Sequence, residues 1–489
     1  KGHNGKHLTQ ILDVFPRDDL FQIDLHELTE TALSILNIRE RRKVRLFIRE
    51  DSFGKLYSCM VYVPRDIYST EFRHKAQEIL WEALDANGSE FHTYFSESAL
   101  ARTQFILRFN GDEAPEYSIK ELEQKIINIA RSWSDDLLEA LVERYGEEKA
   151  NRYYNAYKTA FPASYREDFS PRGAVIDIGY IEQLSEERQV TMSFYRHLED
   201  QGRHLQFQLF HEDEQLPLSD VIPVLENLGM RVVGEHPYEI QRGDGRTIWL
   251  HDFSLEPAGQ GEINLSEINE VFKDAFEQTW KGAAENDSFN RLVLTASLGW
   301  RQVSMLRAYA RYMKQVRFNF DQGYIASTLE NHSDITGLLL DLFTLHFDPE
   351  GSYSEEAEET LVAKITEALD QVQSLTEDMI LRRYMQLMQA TLRTNFYQPD
   401  ADGKVKSYIA FKLDVNKIPD VPLPRPMFEI FVYSPRVEGV HLRGGKVARG
   451  GLRWSDRHED FRTEILGLVK AQQVKNAVIV PVGAKGGFV

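Results

Sequence analysis

The chain has 489 residues and a formal net charge of −19 at pH 7, which excludes a general nucleic-acid binder but not a local basic pocket. Its hydrophobic content of 42% and aromatic content of 11% indicate a folded chain with several cores. The single cysteine, Cys59, excludes an intramolecular disulfide and a cysteine-based zinc cluster, and it favours a reducing, cytoplasmic location. The longest apolar stretch, residues 335–347, is too short to span a bilayer, so no membrane partner is expected.

The first predicted module lies between residues 40 and 110. Alternation at Val44, Leu46 and Ile48 is typical of a strand. Further strands are predicted at 56–63, 91–95 and 103–109, with a helix at 72–83. This order predicts an antiparallel sheet with helices on one face. A long helix should follow, because Ser118 and Glu121 have capping-box spacing and an apolar stripe continues to residue 141.

A second module of the same kind is predicted between residues 200 and 256. Alternation at 205–209 indicates a strand, and a helix from Ser219 should end at Gly229, a natural C-terminal cap. Two more strands are predicted at 230–233 and 247–255, joined by a hairpin at residues 242–245. The two modules are not similar enough in sequence to establish a repeat from the residues alone.

Residues 290–398 have helical periodicity, with one helix through Leu361 and Leu369 and another capped by Thr376. The turn-forming residues 399–403 suggest a boundary. Beyond it, apolar side chains alternate at residues 409–413 and again at Phe428, Ile430 and Val432. A new α/β domain is therefore expected from residue 399.

Two glycine turns near the end carry the clearest functional signal. Residues 449–453 read Arg-Gly-Gly-Leu-Arg, and residues 483–487 read Gly-Ala-Lys-Gly-Gly. Glycine lets the backbone come close to a ligand, and the cations Arg449, Arg453, Lys475 and Lys485 stand at or between the turns. The pattern predicts a pocket for a small dicarboxylate.

These two turns resemble the two signatures of glutamate and other amino-acid dehydrogenases. The whole of residues 450–489 is closer still to the large NAD-dependent glutamate dehydrogenases of bacteria. The resemblance implies a multidomain α+β and α/β protein. Its parts would be ACT-like (ferredoxin-like) sandwiches, a helical connector and the first part of an amino-acid-dehydrogenase substrate domain. The expected divisions are an ACT-like domain with a long following helix at 1–165, a second ACT-like domain at 166–289, a helical domain at 290–398 and a truncated substrate domain at 399–489.

The resemblance also assigns roles to the site residues. Lys485 would be the catalytic lysine, whose alternative is a solvated lysine on a glycine turn. Lys475 would bind a substrate carboxylate, although a cation at a helix C-terminus also complements the helix dipole. Arg449, with Gly450 and Gly451, would bind substrate as well. It replaces the lysine of the smaller enzymes and can form a bidentate pair with a carboxylate.

Two neighbouring features can each be interpreted in two ways. Arg453 either supports the pocket or forms an ion pair with Asp456 or Glu459. The run His458-Glu459-Asp460 resembles a metal motif, but adjacent helix residues do not converge on one point, so no metal is expected.

The implied reaction is NAD-dependent oxidative deamination of L-glutamate to 2-oxoglutarate and ammonium. No GxGxxG follows a predicted strand, so we expect this chain to be an inactive fragment, with the catalytic aspartate and the NAD site beyond Val489. The resemblance further implies self-association as a homotetramer or other homo-oligomer, and an amino-acid effector at the ACT-like modules. The alternative is an amino-acid-sensing ACT-type regulatory protein without catalysis.

Overall fold

The computed structural model describes two compact units, Lys1–Ile178 with Arg242–Asp244, and Gly179–Gln241 with Gly245–Val489. Clusters of buried hydrophobic residues lie within each unit. The described residues are 3–38, 43–51, 54–65, 67–95, 100–109, 115–131, 133–196, 204–259, 264–447, 449–475 and 482–489.

The first unit begins with helices, continues through a four-stranded sheet and ends with more helices. Its elements are α1 (His3–Asp13), α2 (Arg17–Gln22), α3 (Leu25–Ile38), β1 (Arg45–Glu50), β2 (Leu56–Pro64), α4 (Thr70–Ala83), β3 (Gly88–Phe95), β4 (Leu100–Arg108), α5 (Ile119–Ala130), α6 (Trp133–Tyr145), α7 (Glu147–Tyr157), α8 (Ala163–Asp168) and α9 (Pro171–Ile181). The last residues of α9 belong to the second unit.

The sheet of the first unit has the order β1-β2-β4-β3, and every neighbouring pair is antiparallel, as predicted. The helix of this module, α4, and the following α5 lie on one face, as predicted, and helices from before residue 40 cover the other face. Cys59 and Val61 of β2 pack in a core with α4 and α5, whereas Met60 and Tyr62 pack with α1 and α3. Successive residues of β2 are accordingly buried, as in a strand covered on both sides.

The single long helix predicted behind Ser118 is two helices, α5 and α6. Ser118 caps α5 as predicted, because its side chain accepts a hydrogen bond from the Glu121 backbone N–H at 3.4 Å. The chain turns extended at Arg131, where ψ is 130°. Trp133 then begins α6, and its indole Nε1 donates to the Phe169 carbonyl at 3.1 Å. This tertiary contact holds Trp133 away from the axis of α5.

The second unit contains two further sheets and a helical segment between them. Its elements up to that segment are β5 (Val190–Tyr195), β6 (Leu205–Glu212), α10 (Leu218–Asn227), β7 (Met230–Gln241), β8 (Thr247–Pro257) and α11 (Leu265–Trp280). The helical segment has α12 (Leu292–Thr295), α13 (Trp300–Gln315), α14 (Gln322–Asn331), α15 (Ser333–Phe347), α16 (Glu355–Leu369) and α17 (Leu375–Ala390). The elements of the last sheet are β9 (Thr391–Thr394), β10 (Ile409–Leu413), β11 (Phe428–Ser434), β12 (Val437–Arg443), β13 (Leu452–Trp454), α18 (Phe461–Lys475) and β14 (Ala484–Phe488).

The two small sheets share one topology. The second has the order β5-β6-β8-β7 with antiparallel neighbours, and both modules run strand, strand, helix, strand, strand, helix. This is the βαββαβ order of ferredoxin-like folds with the last strand moved to the front. The predicted cap Gly229 has φ +89°, and the hairpin turn lies at residues 242–245. The strand β5 was not predicted, and the repeat is visible only in the order of the strands.

The helical segment is confirmed, with one correction to its caps. The predicted cap Thr376 lies inside α17, and Ser374 is the residue whose side chain accepts a hydrogen bond from the Glu377 N–H, at 3.4 Å. Ser374 has the extended backbone that a capping side chain needs, which places the start of the helix at Leu375.

The third sheet is mixed, with the order β13-β14-β12-β11-β10-β9 and one parallel pair, β13 with β14. The predicted fold class of α+β and α/β parts is therefore confirmed. Strand β9 precedes residue 399 but pairs with β10, so the sheet begins before the proposed boundary. The divisions at 165, 289 and 398 stay a proposal.

Strand β11 lies where it was predicted, and the residues between the three alternating apolar positions are the buried ones. The residues at positions 428, 430 and 432 are half-buried, whereas Glu429, Phe431 and Tyr433 are buried. The Phe431 ring packs on Tyr312 of α13, with centroids 5.4 Å apart. A buried glutamate therefore stands in the core of this sheet.

Candidate functional site

The two glycine turns lie side by side at one edge of the third sheet. Strand β13 follows the first turn and β14 follows the second, and the strands pair in parallel. The Ala484 N–H donates to the Arg449 carbonyl at 2.8 Å, and the Gly486 N–H donates to the Gly451 carbonyl at 3.3 Å. Motifs about 35 residues apart in the sequence thus form one structure, because β13, α18 and β14 make a βαβ unit.

Glycine is required at both turns because the backbones approach so closely. A Cβ added at Gly450 would lie 1.6 Å from the Ala484 carbonyl oxygen. Gly483 has φ +78°, and a Cβ there would lie 2.3 Å from the Arg449 carbonyl oxygen. No side chain fits at either position without moving the other turn.

Lys485 lies on β14, opposite Leu442 of β12, and its side chain is half-buried. The Cδ atom of Lys485 is 3.6 Å from the position that a Gly450 Cβ would occupy. The aliphatic stem of the lysine therefore extends along the first glycine turn. Among the predicted site residues, the structure brings Lys485, Gly450 and the Arg449 backbone together.

The other predicted carboxylate-binding cations are less closely defined. Arg449 has an exposed side chain, and no described carboxylate lies within 4.0 Å of it. Lys475 is the last residue of α18, which places its backbone at the end of the helix, but its side chain lies outside the described residues. The convergence of these charged groups with Lys485 stays a prediction.

Gln472 of α18 was missed by the sequence analysis. Its Nε2 donates to the Val482 carbonyl at 3.0 Å and to the Arg449 carbonyl at 3.4 Å, so one side chain bridges the two turns. Its Oε1 is buried and has no donor among the described residues. The available signal was its spacing, since a residue three positions before Lys475 lies on the same helix face.

Arg453 forms an ion pair, but with a different partner from those predicted. Its guanidinium lies 3.1 Å from Glu464 Oε1 on α18, and neither Asp456 nor Glu459 is its partner. Ser455 Oγ also donates to Glu464, at 2.6 Å. These contacts tie β13 to α18, so Arg453 positions the first glycine turn.

A buried ion pair supports the same helix and was not predicted. Arg462 of α18 donates from Nε and Nη2 to the two carboxylate oxygens of Glu429, each at 2.7 Å. Both side chains are at most 1% exposed. Burial alone would lower the pKa of Arg462, but the adjacent Glu429 carboxylate raises it. The pair fixes the first turn of α18 against β11.

His441 of β12 pairs in register with Gly486, the residue after Lys485. Burial lowers the pKa of His441, and the neighbouring Arg443 lowers it further. The imidazole is therefore neutral at pH 7 and adds no positive charge beside β14.

The histidine-acid run at 458–460 forms no metal site. Glu459 pairs with Lys314, and Asp460 accepts a hydrogen bond from Arg457 Nε at 2.8 Å. Across the part of the chain that the structure describes, no group of three metal-ligating side chains is found. In the same residues, no helix is both long and apolar enough to cross a membrane.

Comparison with protein families matches nearly every part of the chain to one group of models. Residues 364–489 match the family model described as "Bacterial NAD-glutamate dehydrogenase, catalytic domain". The remaining matches are to the glutamate dehydrogenase ACT2 domain (45–134), ACT3 domain (189–268), and helical motifs 1 (1–41), 2 (140–184) and 3 (284–349).

Three bacterial proteins are similar along the whole chain, and each is called "NAD-specific glutamate dehydrogenase". The Halomonas elongata protein is 60% identical over 489 residues, the Pseudomonas aeruginosa protein 54% over 493, and the Mycobacterium tuberculosis protein 38% over 507. Each alignment covers 100% of this chain but only 30% or 31% of the relative. The chain thus spans just under a third of the length of these relatives.

Proposed function

Because this chain belongs to the bacterial NAD-dependent glutamate dehydrogenases, we propose that it supplies the glutamate-binding part of that reaction. The complete reaction converts L-glutamate, water and NAD⁺ to 2-oxoglutarate, ammonium and NADH. The observation that carries the proposal is the contact between the two glycine turns, which sets Lys485 alongside Gly450.

The substrate carboxylates bind to cations and backbone groups at the first turn and at the end of α18. Arg449 offers a fork of N–H donors that matches a carboxylate, and Lys475 adds a second charge. Gly450 and Gly451 leave the backbone accessible to substrate. Because Arg453 is paired with the Glu464 carboxylate, it positions this turn rather than binding a carboxylate of the substrate.

Lys485 acts on the reacting carbon. Its ammonium polarises the carbonyl-like centre that forms at Cα, and in its neutral form it accepts a proton from the attacking water. The aliphatic stem of Lys485 lies beside Gly450, which limits the positions that its ammonium group can reach. The reacting Cα and the substrate carboxylate would therefore lie at defined distances from that ammonium group.

The NAD cofactor does not fit the residues described. The connection from β13 to α18, where a parallel unit would bind a pyrophosphate, contains no glycine and carries Asp456, Glu459 and Asp460. Asp456 would repel phosphate, whereas Glu459 and Asp460 are already paired with Lys314 and Arg457. We assign this chain the substrate side of the reaction only.

The sensing alternative is not favoured, because residues 364–489 match a catalytic-domain model. We propose that the two ACT-like modules bind an amino-acid effector and that the whole protein is a homotetramer or other homo-oligomer in the cytoplasm. The free thiol of Cys59 supports a reducing compartment. Sedimentation velocity of the full-length enzyme, with and without single amino acids, tests both the assembly and the effector.

The test of the site uses the full-length enzyme that contains this chain. Lys485→Ala should lower kcat by about 100-fold or more with little change in the KM for glutamate, because the lysine acts mainly in the transition state. Lys475→Ala should instead raise KM with a smaller fall in kcat, because a carboxylate contact stabilises ground and transition states alike. Steady-state kinetics at saturating NAD⁺ separate the two.

Lys470→Ala is the matched control, since Lys470 is an exposed lysine on the same helix. It should leave both constants unchanged. A folded Lys485→Ala enzyme with near-normal kcat would overturn the assignment of the catalytic lysine.

A further inference from the structure

A cavity of about 560 Å³ lies in the second unit, away from the glycine turns. Its walls come from α11, the start of α13, residues 404–409 and the β11–β12 turn at residues 433–435. That turn ends at Val437, whereas the partner of Lys485 is Leu442, further along β12. Five residues of strand separate the two by about 17 Å, so the cavity is distinct from the proposed glutamate site.

Arg301, the second residue of α13, is the charged centre of this cavity. Its Nη1 donates to the Lys406 carbonyl at 2.7 Å and its Nη2 to the Phe396 carbonyl at 3.4 Å, while the buried Nε has no acceptor in the described chain. No described carboxylate lies within 4.0 Å, and burial lowers the pKa of Arg301 with no anion to offset it. The start of α13 adds the positive end of a helix dipole.

Arg301 is only partly buried, but it differs from the buried arginines of the same unit, each of which has a carboxylate partner. These pairs are Arg307 with Asp287 at 2.8 Å, Arg383 with Asp420 at 3.5 Å, and Arg462 with Glu429 at 2.7 Å. Even a partly buried cation without an anion is unfavourable, and a bound anion would supply the missing partner.

The rest of the lining defines what kind of anion fits. Lys404 and Lys406 add two cations, and Asp274 is the one carboxylate among the lining residues. Asp274 Oδ1 already accepts a hydrogen bond from Gln278, at 3.2 Å. Trp300 and Tyr408 supply aromatic walls. The lining thus combines a net positive charge with an apolar surface.

We propose that this cavity binds a small organic carboxylate, with Arg301 contacting the carboxylate group and Trp300 and Tyr408 packing against an apolar body. A planar guanidinium matches a planar carboxylate in two parallel hydrogen bonds. The volume lies within the usual range for small-molecule sites. This site is additional to the proposed glutamate site and does not depend on it.

Isothermal titration calorimetry of the 489-residue chain with sodium benzoate tests the proposal. Benzoate should bind at least about tenfold more tightly than benzamide, which lacks the charge, and than inorganic phosphate, which lacks the apolar body. Arg301→Gln should weaken benzoate binding by about tenfold or more, since a charge-assisted hydrogen bond is lost. Lys404→Gln, at an exposed cation, should weaken it by about two- to fivefold.

Arg393→Gln is the control, because Arg393 is an exposed arginine on β9 outside the cavity lining and its loss removes the same charge. It should leave the affinity unchanged. Circular dichroism checks the fold of each variant, and a Lys404→Gln/Lys406→Gln double variant replaces Arg301→Gln should that variant not fold. Equal binding of benzoate and benzamide, tighter binding of phosphate, unchanged binding by the cavity variants, or no saturable benzoate binding by the wild-type chain would each overturn the proposal.

Discussion

Gly483 is the residue on which the geometry of the site depends most. It has φ +78°, and its missing side chain leaves room for both the Arg449 carbonyl oxygen and Gln472 Nε2, each 2.3 Å from where a Cβ would stand. A side chain at Gly483 would separate the two turns. It would also displace Lys485, which lies two residues further along the chain. A substitution at Gly483 would therefore strain the backbone and disrupt the site at the same time.

Gly483→Ala should lower the free energy of unfolding by about 1–3 kcal/mol, because alanine is strained at this φ and clashes with backbone. The matched control is Gly467→Ala in the middle of α18, where a Cβ meets nothing within 4 Å. It should stabilise the helix by about 0.5–1 kcal/mol. Urea-induced unfolding of both variants measures the difference, and equal shifts would contradict the role given to Gly483.

At this scale the sequence predicted the glycines well and the ion pairs poorly. Spacing and turn chemistry identify Gly450 and Gly483 before any coordinates are known. The partner of Arg453 could not be predicted. Glu464 becomes its neighbour only because α18 folds back beside β13, and a sequence window shows only local candidates such as Asp456.

The element that sets the position of the site is α18, held at its start by the Glu429–Arg462 pair. Both groups are buried in the same core as Phe431 and form two hydrogen bonds to each other. Such a pair adds little net stability compared with an apolar pair, but removing one partner leaves an uncompensated buried charge.

Glu429→Ala should therefore destabilise the second unit by about 3–5 kcal/mol. The double variant Glu429→Leu/Arg462→Met should be near neutral or more stable, because no charge is left buried. Glu270→Ala is the control, since it removes an exposed carboxylate that pairs with Lys273 on the same helix, and it should change stability by less than about 0.5 kcal/mol. Urea titrations of the three variants give the values, and a mild effect of Glu429→Ala would show that water reaches the pair.

The buried face of β11 could not be predicted from its sequence. Alternation at positions 428, 430 and 432 identified the strand, but the face that is buried carries Glu429. A glutamate is placed outside by any hydropathy rule, and only its arginine partner reverses this. Similarly, α5 and α6 were joined because the helical stripe continues across a turn that a tertiary contact enforces.

At the scale of the whole molecule, the only cysteine in the sequence lies in the first unit, so its reactivity measures the unfolding of that unit alone. Cys59 lies on β2 and is 0% exposed. Burial raises the pKa of its thiol, and the Asp19 carboxylate adds to the rise, so the reactive thiolate is rare in the folded chain.

Labelling of Cys59 by a thiol-specific reagent should accordingly be slower than that of free cysteine by at least about 100-fold. The rate should rise steeply with urea as the first unit unfolds. Absorbance of the released reagent group measures it, with free cysteine as the control at every urea concentration. Fast labelling of the folded chain would contradict the buried position of β2.

The two modules and their common type were predictable, but their shared strand order was not. Apolar alternation, caps and turns identify most strands of both ACT-like modules. The repeated order β1-β2-β4-β3 and β5-β6-β8-β7 depends on which strands pair across tens of residues, and strand pairing leaves no local sequence signal.

Strands β13 and β14 are attached to the rest of the sheet unequally, and this difference determines how the site can open. Strand β14 is bonded to β12 along five residue pairs, whereas β13 has only three residues, all exposed, lies at the edge of the sheet and is otherwise held by the contacts of Arg453 and Ser455 with Glu464. Fraying of β13 breaks the bonds from Ala484 and Gly486 but leaves β14 anchored through β12. Lys485 on β14 would then keep its position, while the backbone that carries Arg449 would be the part able to move. If the proposed function holds, substrate and product would pass the β13 edge without displacing Lys485, the proposed catalytic residue.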